Sequence, residues 1–229
     1  MKYYSHILFY HFFLSIIISA DFPDKTQLMR NNSVAKTIGR EDRKDGVHSG
    51  NRVLTRIYNH GAIGDLSSSF SGVYPIGSGH AYIFEFSPVI AASVVDTNGF
   101  RRHVISDGTI GLTDNSPEGT PWGFEPLSGY ANPNQENLAM SDNENSWPES
   151  WPNRPSDWDG EWNGQYGKYV RADQESYFVV DDYYNSEFEF WPDENDLPQD
   201  SVAAPDNHRR GLGIQLDVRG YQWNHPAAE

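Results

Sequence analysis

Ser146–Trp191 reads SWPESWPNRPSDWDGEWNGQYGKYVRADQESYFVVDDYYNSEFEFW and holds five of the chain's seven tryptophans. Its Asp, Glu, Gly and Pro content taken alone points to a solvated coil, because such a composition buries too little apolar surface to offset the entropy of ordering. The Trp, Tyr and Phe set between those residues reverse that reading and predict a folded body, aromatic within and acidic without. Inside the stretch, SYFVVDDYY is rich in β-branched and aromatic residues, as strands are. In EFEFW, Glu187 and Glu189 alternate with Phe188, Phe190 and Trp191, which puts acid on one face and rings on the other.

The same alternation recurs towards the C-terminus, where Ile214, Leu216 and Val218 interleave with Gln215, Asp217 and Arg219. Both segments read as half-buried strands of an antiparallel sheet with one wet face. Between Gly108 and Gly167 the periodicity fades and Gly, Pro, Asn and Ser recur every few residues, which predicts long ordered loops wrapped over a scaffold. One short helix is expected there, opened by Asn132-Pro133 and running through Leu138 to Met140, since Asn caps well and Pro suits the first helical position. Upstream, RVLTRIY, HAYIFEF, VIAASVV and FRRHVIS are strand-like runs separated by turn residues. VIAASVV and FRRHVIS flank Asp96-Thr97-Asn98-Gly99, whose Asn-Gly pair favours the positive φ angles of a tight hairpin. With no helix of ordinary length in view, the expected fold is all-β: an antiparallel, β-sandwich-like body with long ordered loops.

Residues 1–20 form a secretory signal pattern: Lys2, an apolar core from Ile7 to Ile18, then Ser19 and Ala20 before Asp21. A retained membrane anchor is the competing reading, but about twelve apolar residues interrupted by His11 and Ser15 fall short of the roughly 20 that span a bilayer. Cleavage after Ala20, and no integral membrane segment thereafter, is therefore expected. Residues 21–50 are polar and unpatterned, a leader or loosely docked arm; 51–110 form an N-terminal β-hairpin region and 111–229 an acidic Trp-rich β domain. The chain stops at His225–Glu229 directly after a strand pattern, so the expectation is an incomplete fragment, the front of a longer polypeptide.

The formal net charge is −15, unevenly placed: residues 21–110 carry 10 Lys and Arg against 9 Asp and Glu, residues 111–229 carry 6 against 23. A surface of that sign repels phosphate and anionic lipid, which argues against nucleic acid as a partner. There is no cysteine, so neither disulfides nor thiolate zinc sites stabilise the fold, and packing or another bound ion must.

Three runs, WGFEPLSGYANPNQENLAMSDNENSWPESWPNRP, WNGQYGKYVRADQESYFVVDD and RRGLGIQLDVRGYQWNHPAAE, resemble the N-terminal region of a group of very large, uncharacterised secreted proteins of environmental Gram-negative bacteria. The resemblance spans about Arg52 to Glu229. It implies further β-sandwich domains downstream and a C-terminal sorting domain for outer-membrane secretion. It assigns no catalytic residue.

Chemistry-bearing patterns are few. Asp157-Trp158-Asp159-Gly160-Glu161-Trp162-Asn163-Gly164 sets oxygen ligands at alternate positions, so Asp157, Asp159, Glu161 and Asn163 are candidate calcium ligands, although the spacing of the helix-loop-helix calcium loop is not met. Calcium is the one cofactor the sequence offers. The indole faces of Trp158 and Trp162, set among carboxylates and amides, are candidates for stacking on a glycan. The competing reading makes the tryptophans buried anchors of the loops, since each buried aromatic removes about 150–250 Å² from water. The carboxylate pairs Asp173 with Glu175 and Asp181 with Asp182 could meet the spacing of a glycosidase, but among 23 acids some pair does so by chance. Histidines 48, 60, 80, 103, 208 and 225 stand singly, outside zinc spacing. Gly77-Ser78-Gly79 reads as a turn rather than a nucleophile elbow, and Gly167-Lys168-Tyr169 is not a phosphate loop. Asn31-Asn32-Ser33 fits a glycosylation acceptor. The expected function is a non-enzymatic secreted or cell-surface structural or adhesion module that meets a glycan or a cell-surface protein; the alternative is an extracellular carbohydrate-binding or carbohydrate-hydrolysing domain.

Overall fold

The structure, a computed structural model, describes residues 42–65, 69–95, 99–109, 123–182, 185 and 212–225. Among them eight strands follow in the order β1 (Asp45–His48), β2 (Thr55–Tyr58), β3 (Val89–Val95), β4 (Arg101–Asp107), β5 (Glu125–Pro126), β6 (Ala139–Met140), β7 (Gln174–Asp181) and β8 (Gln215–Gln222). Single 3-10 turns lie at Glu144–Ser146 and Ser156–Trp158. Every strand pairing is antiparallel: β1 with β2, β3 with β4, and a four-stranded sheet in which β8 lines one edge of β7 while β5 and β6 share the other. The protein is thus all-β, antiparallel and sandwich-like, with long ordered loops. No helix among the described residues is long and apolar enough to cross a membrane.

β7, sequence QESYFVVD, is buried along its whole length. Its residues alternate between two dissimilar cores, as the two-residue period of a strand requires. On one face Phe178 and Val180 pack with Ile57, Phe124, Leu138, Met140 and Leu216. The β1–β2 ribbon closes over this face, with Gly46 set so near Leu138 and Met140 that a Cβ there would collide with them. Gln174 fastens the ribbon through all of its amide capacity. Its carbonyl accepts from the backbone of Ser49 (2.6 Å) and Gly50 (2.9 Å), and its NH2 donates to Val47 O (3.1 Å) and Asp142 Oδ2 (2.8 Å). On the other face Tyr177 and Val179 pack with Leu127, Tyr130, Ala139, Trp151 and Trp162, which come from loops rather than from a second sheet.

In β8 the predicted alternation stands: Leu216 is buried, Ile214 and Val218 pack against the aliphatic core, and Gln215 and Asp217 are exposed. The β3–β4 hairpin forms from the two predicted runs, with Val95 opposite Arg101, and Gly99 holds φ 82°. Asp96–Asn98 lie outside the described residues. The hairpin is fixed at its β4 end. Val104 packs on Leu212, and the Ser106 hydroxyl donates to Asp182 Oδ2 at 2.9 Å. The Asp182 carboxylate also accepts from the backbone of Leu212 (2.6 Å) and Ile214 (2.8 Å), so it ties β4, β7 and the entry to β8.

Three expectations are corrected. HAYIFEF forms no continuous strand and bridges the fold at Ala81 with Val73 and Phe86 with Ile63. Ile83 seats against Gly64 and Gly72 while Tyr82 and Phe84 point to solvent, so the alternation describes an anchored loop. The helix at Asn132–Met140 is absent. The Asn132 side chain does accept from Asn134 N at 2.9 Å, but the turn is not extended. Pairing of Ala139 and Met140 with β7 wins because it delivers Leu138 and Met140 into the core. Within the segment 21–50 expected to be an arm, the described part is docked: Asp45–His48 is β1, and Arg43 makes a double hydrogen bond to Glu125 at 2.8 and 2.7 Å. The signal segment, Asn31–Ser33, EFEFW and His208 lie outside the described residues.

Candidate functional site

Four tryptophans of the opening stretch build one cluster on the odd face of β7. Trp151 and Trp162 are each 2 % exposed and meet edge to face with ring centroids 5.9 Å apart. Trp147 lies 5.5 Å from Trp162, and Trp151 lies 5.8 Å from Tyr177. Burying an indole leaves its N–H in need of an acceptor. Each finds one: Trp147 donates to Met140 O (2.7 Å), Trp151 to Glu161 O (2.9 Å) and Trp162 to Glu175 Oε2 (2.7 Å). The loops are therefore held by rings packed beneath them, which is the anchor reading of the sequence. Trp162 as a glycan platform is corrected by that burial. Trp158 is half-buried, with the Arg154 guanidinium 4.4 Å and the Lys168 ammonium 5.6 Å from its ring centre, so cations already occupy its surroundings.

The candidate calcium ligands do not converge. Asp157 pairs with Lys168 at 2.8 Å, while Asp159 and Glu161 face solvent. Asn163 is fully buried: its Oδ1 accepts from Arg154 Nε (2.7 Å) and Arg219 Nη2 (3.3 Å), and its Nδ2 donates to Asn153 Oδ1 (2.9 Å). An oxygen that already faces two guanidiniums is a poor ligand for a further cation. Among the described residues no group of three or more His, Asp or Glu is placed to hold a metal.

The other titratable groups serve the fold. Glu175 is buried and receives the backbone N–H of Arg171 (2.5 Å) and Ala172 (3.0 Å) besides Trp162. Its neighbour in the proposed pair, Asp173, is exposed and accepts from Asn224 N at 2.7 Å. Asp181 and Asp182 are both buried. The His48 ring nitrogen lies 2.9 Å from the Ser176 hydroxyl, an arrangement that evokes a base and its nucleophile. Ser176 is sealed, however, because Gly220 of β8 lies directly on its hydroxyl. Burial lowers His48 to about 4 against the pull of Asp142, and lowers His60, beside Arg43 and bonded to Gly108 O at 3.0 Å, to about 4 as well. Burial pushes the Tyr177 phenol up, and Asp217, which accepts its proton at 2.9 Å, pushes it further. A cavity of about 390 Å³ opens between Asp42–Lys44 and Pro126–Tyr130, backed by Leu138 and Phe178. Two of its polar side chains are engaged, Asn59 with Lys44 N (2.7 Å) and Asp42 O (2.9 Å), and Lys44 with Gln135 O.

Rings that face outward lie just beyond the tryptophan cluster. Tyr221 and Trp223 stack with centroids 5.5 Å and planes 15° apart, and Tyr166 stands nearby with Arg171 4.8 Å over its ring. Tyr166 is 64 % and Trp223 53 % exposed. The Tyr221 hydroxyl donates to Gln165 Oε1 at 3.0 Å, a link between segments 56 residues apart that local spacing does not reveal. No protein-family model, curated protein or solved structure matches the chain.

Proposed function

We propose that the chain is a secreted or cell-surface module acting by structural contact or adhesion, as the N-terminal part of a larger extracellular protein, rather than by catalysis. One observation carries this reading: groups that imitate catalytic apparatus, such as His48 with Ser176 and the buried Glu175, are paired inside the fold, while large rings stand on the outside. Exposed aromatic area beside charged and amide side chains is a feature of contact surfaces. The signal pattern of residues 1–20 and the acidic composition of residues 111–229 agree with it. The alternative, a carbohydrate-active domain, gains from the exposed rings of Tyr166 and Trp223 on the binding side and loses on the hydrolytic side, where Asp173 and Glu175 are engaged by the backbone.

The test is export. Expressed with its first twenty residues in a Gram-negative host, the chain is expected outside the cytoplasm with Asp21 as its new N-terminus. An intact, protease-protected cytoplasmic chain overturns the proposal.

A further inference from the structure

Among the described residues β3 (VIAASVV) has one strand neighbour, β4, in the antiparallel register that sets Ala92 opposite Val104. Gly108 N donates to Pro88 O at 3.0 Å, which makes 88 and 108 a hydrogen-bonded pair. Such pairs alternate, so the backbone groups of Ile90, Ala92 and Val94 point to β4 and those of Val89, Ala91, Ser93 and Val95 point off the edge of the sheet. The same four residues are exposed, Val89 to 60 % and Val95 to 53 %, whereas Ile90 and Val94 turn to the side where Val104 and Leu212 pack. β3 also lacks the devices that keep a strand edge single. It has no charge, proline or bulge, while β8, at the edge of the larger sheet, carries Asp217 and Arg219.

We propose that β3 pairs with β3 of a second copy of this chain, antiparallel about a two-fold axis at Ala92, to give a four-stranded sheet ordered β4-β3-β3-β4. This goes beyond the contact-module reading and does not depend on it. In that register Val89 of one copy lies opposite Val95 of the other and Ala91 opposite Ser93, so the outward backbone groups of all four residues find complements. Ala91-Ala92-Ser93 at the axis are small on both faces, and the exposed valines cover one another. Charge selects this occupant and its direction. The hairpin tip, residues 96–102, holds Arg101 and Arg102 against Asp96 alone, whereas the root holds Glu85 and Asp107 without a basic residue. Antiparallel pairing sets each tip beside the partner's root, while parallel pairing sets arginines beside arginines. A peptide of single sign gains at one end and loses at the other. Association closes at two copies, because the far edge of β4 is engaged: Asp107 O accepts from Phe124 N and Ile105 O from Asn185 Nδ2, both at 2.7 Å.

The test is analytical ultracentrifugation of the full chain. A concentration-dependent dimer is expected, weakened about tenfold or more by Ala91→Pro, which removes an outward N–H and no bond to β4, and by Ala91→Lys, which sets like charges across the axis. The chain has no cysteine, so a single introduced thiol reports the register. Ala92 faces its own copy as a non-hydrogen-bonded pair with Cα atoms about 4.5 Å apart, within reach of a disulfide. Ala92→Cys should therefore cross-link as a dimer under mild oxidation, much faster than Gln215→Cys, an equally exposed position on β8. That readout keeps the test decisive if Ala91→Pro does not fold. A chain that stays monomeric at submillimolar concentration, a dimer indifferent to both Ala91 variants, open-ended polymers, or equal cross-linking at positions 92 and 215 overturns the pairing. Export is measured separately: an exported monomer sinks the pairing alone, and a dimer retained in the cytoplasm sinks the module reading alone.

Discussion

In the connection from β6 to β7, Trp151 and Trp162 turn inward and are 2 % exposed, whereas in the connection from β2 to β3, Tyr82 and Phe84 remain on the surface at 71 % and 66 %. Both connections are long and irregular, and both carry a ring every few residues. The difference lies in what each one crosses. The first passes over β7, which supplies Tyr177 and Val179 as a packing surface and Glu175 as an acceptor for an indole N–H. The second runs beside a two-stranded ribbon, which it meets through backbone bonds of Val73 with Leu54 and of Phe70 and Gly64 with Arg56, while Ile83 packs on Gly64 and Gly72 of the connection itself. A ring is drawn in where a central strand offers both apolar contact and an acceptor, and stays out where it does not.

The comparison breaks most sharply at Trp162. Trp162→Ala should cost about 3–5 kcal/mol, because it opens a cavity against Trp147 and Trp151 and removes one of the three donors to the buried Glu175 carboxylate. Urea unfolding measures this, and a loss below about 1 kcal/mol would deny the cluster its anchoring role. A pH effect of similar size is shared by both regions. His48 ties β1 to β7 and His60 ties the β2–β3 connection to Gly108, and both have folded values near 4 against an ordinary 6.5. Between these values the unfolded chain binds the extra protons, so stability is full above pH 6.5 and falls as pH drops towards 4, by about 3 kcal/mol for each histidine. Denaturant midpoints from pH 7 to 4.5 should decline accordingly, and a flat profile would contradict neutral burial. The smallest effect belongs to the outward rings: Phe84→Ala should change stability by no more than about 0.5 kcal/mol in the same unfolding experiment. A larger loss would mean that the β2–β3 connection is packed as firmly as the tryptophan loops.

The β3–β4 hairpin was legible because Asn98-Gly99 marks its turn, and β8 because Ile214 to Arg219 alternates cleanly. β1 was not, since Asp45-Gly46-Val47-His48 holds a single bulky apolar residue and owes its place to pairing with β2 and to Gln174. β6 was hidden by a local turn signal at Asn132 that tertiary pairing overrode. The fate of each tryptophan was the least legible feature. An indole suits a core and a rim equally well, so Asp157–Gly164 read as a site although Asn163 and Trp162 point inward. Tyr221 and Gln165, hydrogen-bonded across 56 residues, are a pairing that local spacing cannot convey.

The bond from Gly50 N to the Gln222 side chain joins positions 172 residues apart, and β8 covers an entire edge of β7. A chain emerging from a ribosome or a translocation pore therefore exposes β7 with its Tyr, Phe and Val row and an unpaired edge until β8 arrives. Unpaired edges of that kind recruit other chains, and contacts so distant in sequence form slowly. The order of synthesis thus makes the newly made chain depend on being kept apart from its own copies until β8 is in place.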